Sequence, residues 1–195
     1  MKKKVEGKVV LVTGATSGMG KGIARMFAQE GARLVLSGRD RRRGQALLSE
    51  LYRAGTEAVL HYGDVAEDET SQALVELALA RFGRLDILSA NAGMLGLGAV
   101  TEVSPETWRQ TLAVNLNAVF YLFRHAIPAM QAHGGGVCVV NASIAATKSF
   151  PGHAAYCAAK AGVVALCRQV ALDYSPAIRV DRKSTRLNSR HDWRP

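Results

Sequence analysis

Four aliphatic residues, Val9-Val10-Leu11-Val12, run straight into Thr13-Gly14-Ala15-Thr16-Ser17-Gly18-Met19-Gly20, and an amphipathic segment begins at once. No other feature constrains the chain as strongly. A continuous aliphatic run predicts a strand buried on both faces. From Gly18 to Glu30, Ile23, Met26 and Phe27 recur at helical spacing, with Gly31 as the stop. Glycines 14, 18 and 20 permit a tight turn between strand and helix and let backbone come close to a ligand. The helix start beyond them offers free N–H groups and a partial positive charge, the setting of a pyrophosphate site. The spacing is Gly-x-x-x-Gly-x-Gly, not the commoner Gly-x-Gly-x-x-Gly fingerprint. Three glycines alone also describe a plain loop; their place between strand and helix gives them weight.

The alternation continues along the chain. Leu34-Val35-Leu36, Ala58-Val59-Leu60, Asp86-Ile87-Leu88 and Val137 to Val140 read as strands. Arg41 to Ala54, Glu67 to Phe82, a long run from Pro105 to His133, and Ala154 to Tyr174 read as helices. Ser104-Pro105-Glu106 supplies a cap, a proline at the first helical position and an acid in the first turn. Ile178-Arg179-Val180 starts a sixth strand. Strands alternating with helices predict an α/β fold on a parallel sheet, one domain over residues 1–180. Residues 181–195 have no apolar periodicity and predict a disordered tail that supplies no strand. Asp181 to Ser189 also resembles translated sequencing-adapter read-through, a non-native end.

Composition excludes several classes. Over 195 residues, 48% hydrophobic and 21% charged side chains are ordinary for a globular protein. No continuous apolar run nears the ~18 residues of a bilayer span, and no signal-peptide core follows the basic N-terminus. These features predict a cytoplasmic protein with no membrane partner. Cys138, Cys157 and Cys167 are too scattered for a disulfide framework or a zinc site, so they read as reduced thiols and no metal is expected. The net charge is +9, of which residues 181–195 carry +3. More of it gathers from Arg39 to Arg43. That distribution argues for an anionic small ligand rather than nucleic acid.

Two further patterns carry chemistry. Tyr156-Cys157-Ala158-Ala159-Lys160 sets Tyr156 and Lys160 on one helix face. A phenol titrates near ~10 and must fall by roughly 2 to 3 units to exchange a proton near neutral pH; a neighbouring ammonium pushes it that way. Ser143 stands at the end of the fifth strand, and in open α/β sheets the carboxyl ends of the strands carry the ligand site. A hydroxyl there can hydrogen-bond a substrate oxygen as charge develops on it. Each pattern alone is common.

In this order, from Thr13–Gly20 through Asn91-Ala92-Gly93 and Ser143 to Tyr156-x-x-x-Lys160, the chain resembles the classical short-chain dehydrogenases/reductases over residues 7–180. The resemblance implies a Rossmann-type doubly wound parallel sheet flanked by helices. It implies an NAD(P)-dependent oxidoreductase that moves hydride between nicotinamide and a carbonyl or secondary alcohol. It makes Asn115, Ser143, Tyr156 and Lys160 the catalytic set. Tyr156 gives or takes the proton, Ser143 polarises the oxygen, and Lys160 lowers the Tyr pKa and holds the nicotinamide ribose. Asn115 helps hold a water behind Lys160. Cofactor contacts fall on Gly14, Thr16, Ser17, Gly18, Met19 and Gly20 at the turn, on Arg39, and on Asp64 and Val65 at the adenine. Others fall on Asn91, Ala92 and Gly93, with Tyr156 and Lys160 at the nicotinamide end. Ala90 replaces the first Asn of the family's Asn-Asn-Ala-Gly motif, and the Asn91 side chain is expected to brace the sheet. His153, just before Tyr156, is expected to be a solvated loop residue.

Ser37-Gly38-Arg39-Asp40 bears on the choice of nucleotide. An NAD-preferring protein usually holds the ribose 2′-OH with an acid where Gly38 stands. Arg39 can instead clamp a 2′-phosphate, with Arg41, Arg42 and Arg43 thickening the field. This predicts NADP(H) as the preferred cofactor, with NAD(H) as the other candidate. Past Val180 the family continues with an Asn, a Pro-Gly motif beside the nicotinamide, a substrate-covering loop and helix, and a last strand. None is written here, which implies a C-terminally truncated member lacking its last strand or strands and part of the substrate pocket. Candidate substrates are 3-oxoacyl thioesters, sugars, steroids, and small ketones or alcohols. A non-catalytic nucleotide sensor or an inactive fragment stands as the alternative. The resemblance also implies a homodimer or homotetramer paired through helices 105–133 and 154–174.

Overall fold

The computed structural model describes residues 3–185; the rest of the expected tail lies outside the described residues. The strands are β1 (Val9–Val12), β2 (Arg33–Gly38), β3 (Ala58–Tyr62), β4 (Ile87–Ala90), β5 (Gly136–Ser143) and β6 (Ile178–Thr185). They form one parallel sheet in the order β3-β2-β1-β4-β5-β6. The winding reverses between β1 and β4, so the crevice of a doubly wound sheet opens at their carboxyl ends. The helices are α1 (Gly18–Gln29), α2 (Arg41–Arg53), α3 (Asp68–Phe82), α4 (Pro105–Leu112), α5 (Ala118–Gln131) and α6 (Ala154–Tyr174).

Strand periodicity assigns each face. Val9 and Leu11 pack with Leu74, Phe123 and Val163 under α3, α5 and α6. Val10 and Val12 pack with Ala24 and Leu47 under α1 and α2. All four residues of β1 are fully buried, as a strand covered on both sides requires. The second face is covered unevenly. Val137 and Val139 alternate with the buried Cys138 and Val140 of β5, yet stay half-buried. Among the described residues no helix lies over that side.

Two elements depart from the sequence-based reading. The helix expected over 105–133 is broken by a π turn, Ala113–Asn117, in which the Ala118 N–H donates to the Ala113 carbonyl five residues back. The sixth strand does not stop at 180. Asp181 to Thr185 stay in register with β5, from Gly136 opposite Ile178 to Ser143 opposite Thr185. Pairing with the edge of β5 is a backbone matter that asks for no apolar alternation, and an edge strand tolerates the exposed charges of Arg179, Asp181, Arg182 and Lys183. Helix α6 runs over the expected Ala154–Tyr174, 21 residues with a window of mean hydropathy 1.2, long and apolar enough by composition to cross a membrane. Its valines, leucines, cysteines and alanines together give that value. Its buried side, from Ala155 through Val163 to Val170, packs on the sheet.

Candidate functional site

The carboxyl ends of the strands and the loops after them enclose a cavity of about 660 Å3. At the β1 end, Gly14 and Gly18 adopt φ of +63° and +49°, a region other side chains avoid. A Cβ on Gly20 would overlap the Gly14 carbonyl oxygen and the Asn91 amide nitrogen. Gly20 therefore lets α1 press against the turn; it does not itself line the cavity. Thr13 Oγ1 accepts from the N–H groups of Asn91 (3.1 Å) and Ala92 (3.2 Å), and Asn91 Nδ2 donates to the Thr13 carbonyl (3.3 Å). Asn91 thus ties the β1 and β4 turns together.

Two buried polar atoms in this wall, Ser37 Oγ and Asn91 Oδ1, have no protein partner. Gly18 lines the cavity with nothing within 4 Å of where its Cβ would stand. The turn is thus open on its cavity side, and a dinucleotide fits the residues present.

At the β2 end, Thr16 fills the space over Gly38, so that a Cβ there would overlap its methyl group. That contact closes the position where a ribose-binding carboxylate would stand. Arg39 is 73% exposed, its Nη1 3.4 Å from Asp64 Oδ2. Asp64 Oδ1 accepts from the Ala66 N–H at 3.0 Å. Asp40 caps α2 through the Arg43 N–H at 2.9 Å. Arg39 and Arg43 line the cavity. Arg41 instead lies over the Tyr62 ring, 4.8 Å from its centroid.

At the other end, Tyr156 is half-buried and lines the cavity beside Lys160. Lys160 is 4% exposed, and its Nζ donates to the Asn141 carbonyl at 2.8 Å and lies 5.7 Å from the Tyr156 ring centroid. Burial pushes its ammonium down to about 8. Asn115 sits fully buried in the π turn. Its Nδ2 donates to the carbonyls of Met94 (2.8 Å) and Thr111 (2.9 Å), and its Oδ1 accepts from the Met94 N–H (3.3 Å). A Cβ on Gly93 would come within 3.0 Å of Asn115 Oδ1, so only glycine passes there freely. Asn117 is exposed.

Most of the residues expected at the site therefore meet in one cavity: Thr16, Ser17, Met19, Val65 and Ala92 join those already placed. Ser143 does not line it. It ends β5 at 3% exposure, its Oγ accepting from the Ala145 N–H at 3.1 Å to cap a short 3-10 turn. Local capture of this kind is common for a serine at a strand end. His153 departs from expectation. Its ring is half-buried, with centroids 5.8 Å from Phe150 and 6.4 Å from Tyr156, and its Nδ1 is 2.7 Å from the Pro151 carbonyl. The cause is tertiary: the Gly98 N–H donates to the Gly152 carbonyl at 2.7 Å and draws the loop after β4 onto the loop before α6. Met94, Leu95, Gln110 and Val114 also line the cavity. Met94 and Leu95 come from irregular backbone and Val114 from the π turn, for which sequence periodicity offers no signal, while Gln110 stands on α4.

The family model described as short chain dehydrogenase matches residues 8–183. Cyclohexanol dehydrogenase of Acinetobacter sp. (strain SE19) is 40% identical over 192 residues, 98% of this chain and 74% of that protein. The first four curated relatives matched are covered over 61 to 74% of their own length. Among solved structures, 7α-hydroxysteroid dehydrogenase complexed with NADH and 7-oxo glycochenodeoxycholic acid superposes with a TM-score of 0.89 at 29% identity, over 94% of this chain and 72% of that one. Alcohol dehydrogenase from the archaeon Thermococcus sibiricus, complexed with 5-hydroxy-NADP, gives 0.85 at 30% identity, over 90% and 74%.

Proposed function

This chain belongs to the short-chain dehydrogenase family, and from that premise we propose that it interconverts a secondary alcohol and a ketone with NADP(H) in preference to NAD(H), Tyr156 exchanging the proton. Its class of chemistry is nicotinamide-dependent oxidoreduction at CH–OH and C=O. The observation that carries the reading is a single cavity with Tyr156 and Lys160 at one end and the glycine turn with Arg39 at the other.

The cofactor would lie along this cavity. Gly14 to Met19 would hold its pyrophosphate, Arg39 the 2′-phosphate, Asp64 and Val65 the adenine, and Asn91 to Gly93 with Lys160 the riboses. Bound there, it supplies or accepts the hydride. The protein manages the proton and the developing charge. In the oxidative direction the carbinol C–H leaves with its electron pair and the O–H proton passes to the Tyr156 oxygen. Lys160, charged below about 8, stands beside Tyr156 at this end of the cavity. The Ser143 oxygen accepts from the Ala145 N–H, which leaves its hydroxyl hydrogen free to donate; a substrate oxygen would reach it only past the lining of the cavity. The Arg39–Asp64 pair is exposed and weak, so a 2′-phosphate can take the guanidinium over at little cost.

The same reading extends to assembly and place. Exposed Trp108 and Phe120, with Ala158, Ala161, Ala165 and Leu172 along α6, would pair subunits as a homodimer or homotetramer in the cytoplasm.

Thermal melts with NADPH and NADH test the reading. Ligand at ~100 times its Kd stabilises by about 2.7 kcal/mol if it binds only the folded state. NADPH is expected to raise Tm more than NADH, and Arg39→Asp to reverse that order. Tyr156→Phe should keep the shift and lose hydride transfer. A melt moved by neither nucleotide overturns the proposal.

A further inference from the structure

The cavity changes character along its length. Its charged lining groups Arg39, Asp40, Arg43 and Asp64 all stand at the β2–β3 end. Among the described residues, the one charged lining residue at the Tyr156 end is Lys160, and its ammonium donates to the Asn141 carbonyl. Met94, Leu95 and Val114 make up the apolar lining there. From Met94 to Thr101 the chain reads Met-Leu-Gly-Leu-Gly-Ala-Val-Thr, without a charge. In that segment Leu95 is 52% exposed, Leu97 59% and Val100 81%.

This margin is held in place. Besides the Gly98–Gly152 bond, the Ala154 N–H donates to the Gly98 carbonyl at 3.4 Å, and the Glu102 carboxylate accepts from the Ala99 N–H at 3.1 Å. A Cβ on Gly96 would overlap Thr111 Oγ1. The segment therefore meets the loop that carries Phe150 and His153 against Tyr156.

We propose that this apolar margin binds the body of an uncharged, apolar ketone or secondary alcohol and rejects one that carries a carboxylate or phosphate. Three aliphatic side chains more than half exposed within six residues leave apolar area hydrated until something apolar covers it. Continuity identifies the occupant: Leu95 belongs both to the margin and to the cavity that holds Tyr156. An anionic group seated there would lose its water against leucines, and the cation at this end, Lys160, already donates to the Asn141 carbonyl. The inference rests on the proposed dehydrogenase reading for the carbonyl's place, but its test does not require turnover.

The probes are 4-tert-butylcyclohexanone and 4-oxocyclohexanecarboxylate, titrated into the 195-residue chain by ligand-observed NMR, with and without NADP+. The butyl ketone is expected to bind saturably and at least about tenfold tighter, the worth of covering roughly 60 Å2 of apolar surface. Leu97→Asp, at an exposed position, should weaken that binding about tenfold while the NADPH shift of the melt persists. Equal affinity for the two ketones, or an unchanged Kd in Leu97→Asp, overturns the proposal. So does absence of saturable binding by a chain whose melt NADPH shifts; a Leu97→Asp variant that then turns from dimer to monomer would assign the margin to a second copy. Ketone selectivity in a chain that no nucleotide stabilises would leave the apolar site standing and bring down the dehydrogenase reading instead.

Discussion

Lys160 holds a charge where charge is disfavoured. Its ordinary value is 10.5, and burial lowers it in the folded chain to about 8. Below pH 8 the ammonium is protonated in both states, and the folded state bears the whole desolvation cost. Between 8 and 10.5 the unfolded chain binds more protons, so stability rises with pH; above 10.5 the cost is gone. That cost is of the order of 3 kcal/mol, set against about 1 for the bond to Asn141. Lys160→Met is therefore expected to be about 2 kcal/mol more stable than wild type at pH 7, with the advantage fading by pH 10.5. Urea unfolding of both proteins across that range checks it, and a difference that stays flat with pH would mean the ammonium is not desolvated. The pairing of Tyr156 with Lys160 was legible in the sequence because i,i+4 spacing is geometry internal to one helix. Ser143 and His153 were harder to read. Whether a strand-end hydroxyl faces a cavity depends on the next turn, and the stacking of His153 depends on a loop more than fifty residues away at Gly98.

At the scale of elements, the π turn is what positions Asn115. Asn115 lies inside that turn, and its side-chain Nδ2 donates to the Thr111 carbonyl four residues back. The same amide grips both backbone groups of Met94, so one side chain joins α4 to the loop after β4. Asn115→Leu would leave the Met94 carbonyl and N–H without the side chain that pairs them and remove its bond to the Thr111 carbonyl. The expected loss is about 2 to 4 kcal/mol, with the Met94 amide losing hydrogen-exchange protection before the amides of β1. Unchanged protection at Met94 would show that other contacts hold the loop. Apolar periodicity cannot reveal this turn, because one extra residue barely disturbs the stripe of buried side chains from Val114 to Met130. The strands β1 to β5 were legible for the opposite reason: each holds a short aliphatic run, buried on both faces at β1 and on one face at β5. Residues 181–185 carried no such signal, since their place in β6 comes from the free edge of β5.

At the scale of the molecule, burial is uneven, and the unevenness bears on assembly. One side of α6 packs on the sheet, while Ala158, Ala161, Ala165 and Leu172 form an exposed stripe. Small side chains let a second helix approach closely, and exposed Trp108 and Phe120 offer large apolar side chains. A two-fold contact that pairs α6 with its own copy would bury such a stripe against itself. Ala161→Arg places a long cation in its middle. Because Ala161 is exposed in the single chain, this change should move the stability of the monomer by no more than about 0.5 kcal/mol. The NADPH shift of the melt should persist, since the cavity lies across the carboxyl ends of the strands and not on this face of α6. Light scattering should then report a dimer or tetramer for the wild type and a monomer for Ala161→Arg. A wild type that stays monomeric at tens of micromolar would refute pairing through this face. A variant that still associates would move the contact to another surface, and the half-buried side of β5, where Val137 and Val139 stand without a covering helix among the described residues, would be the next to test.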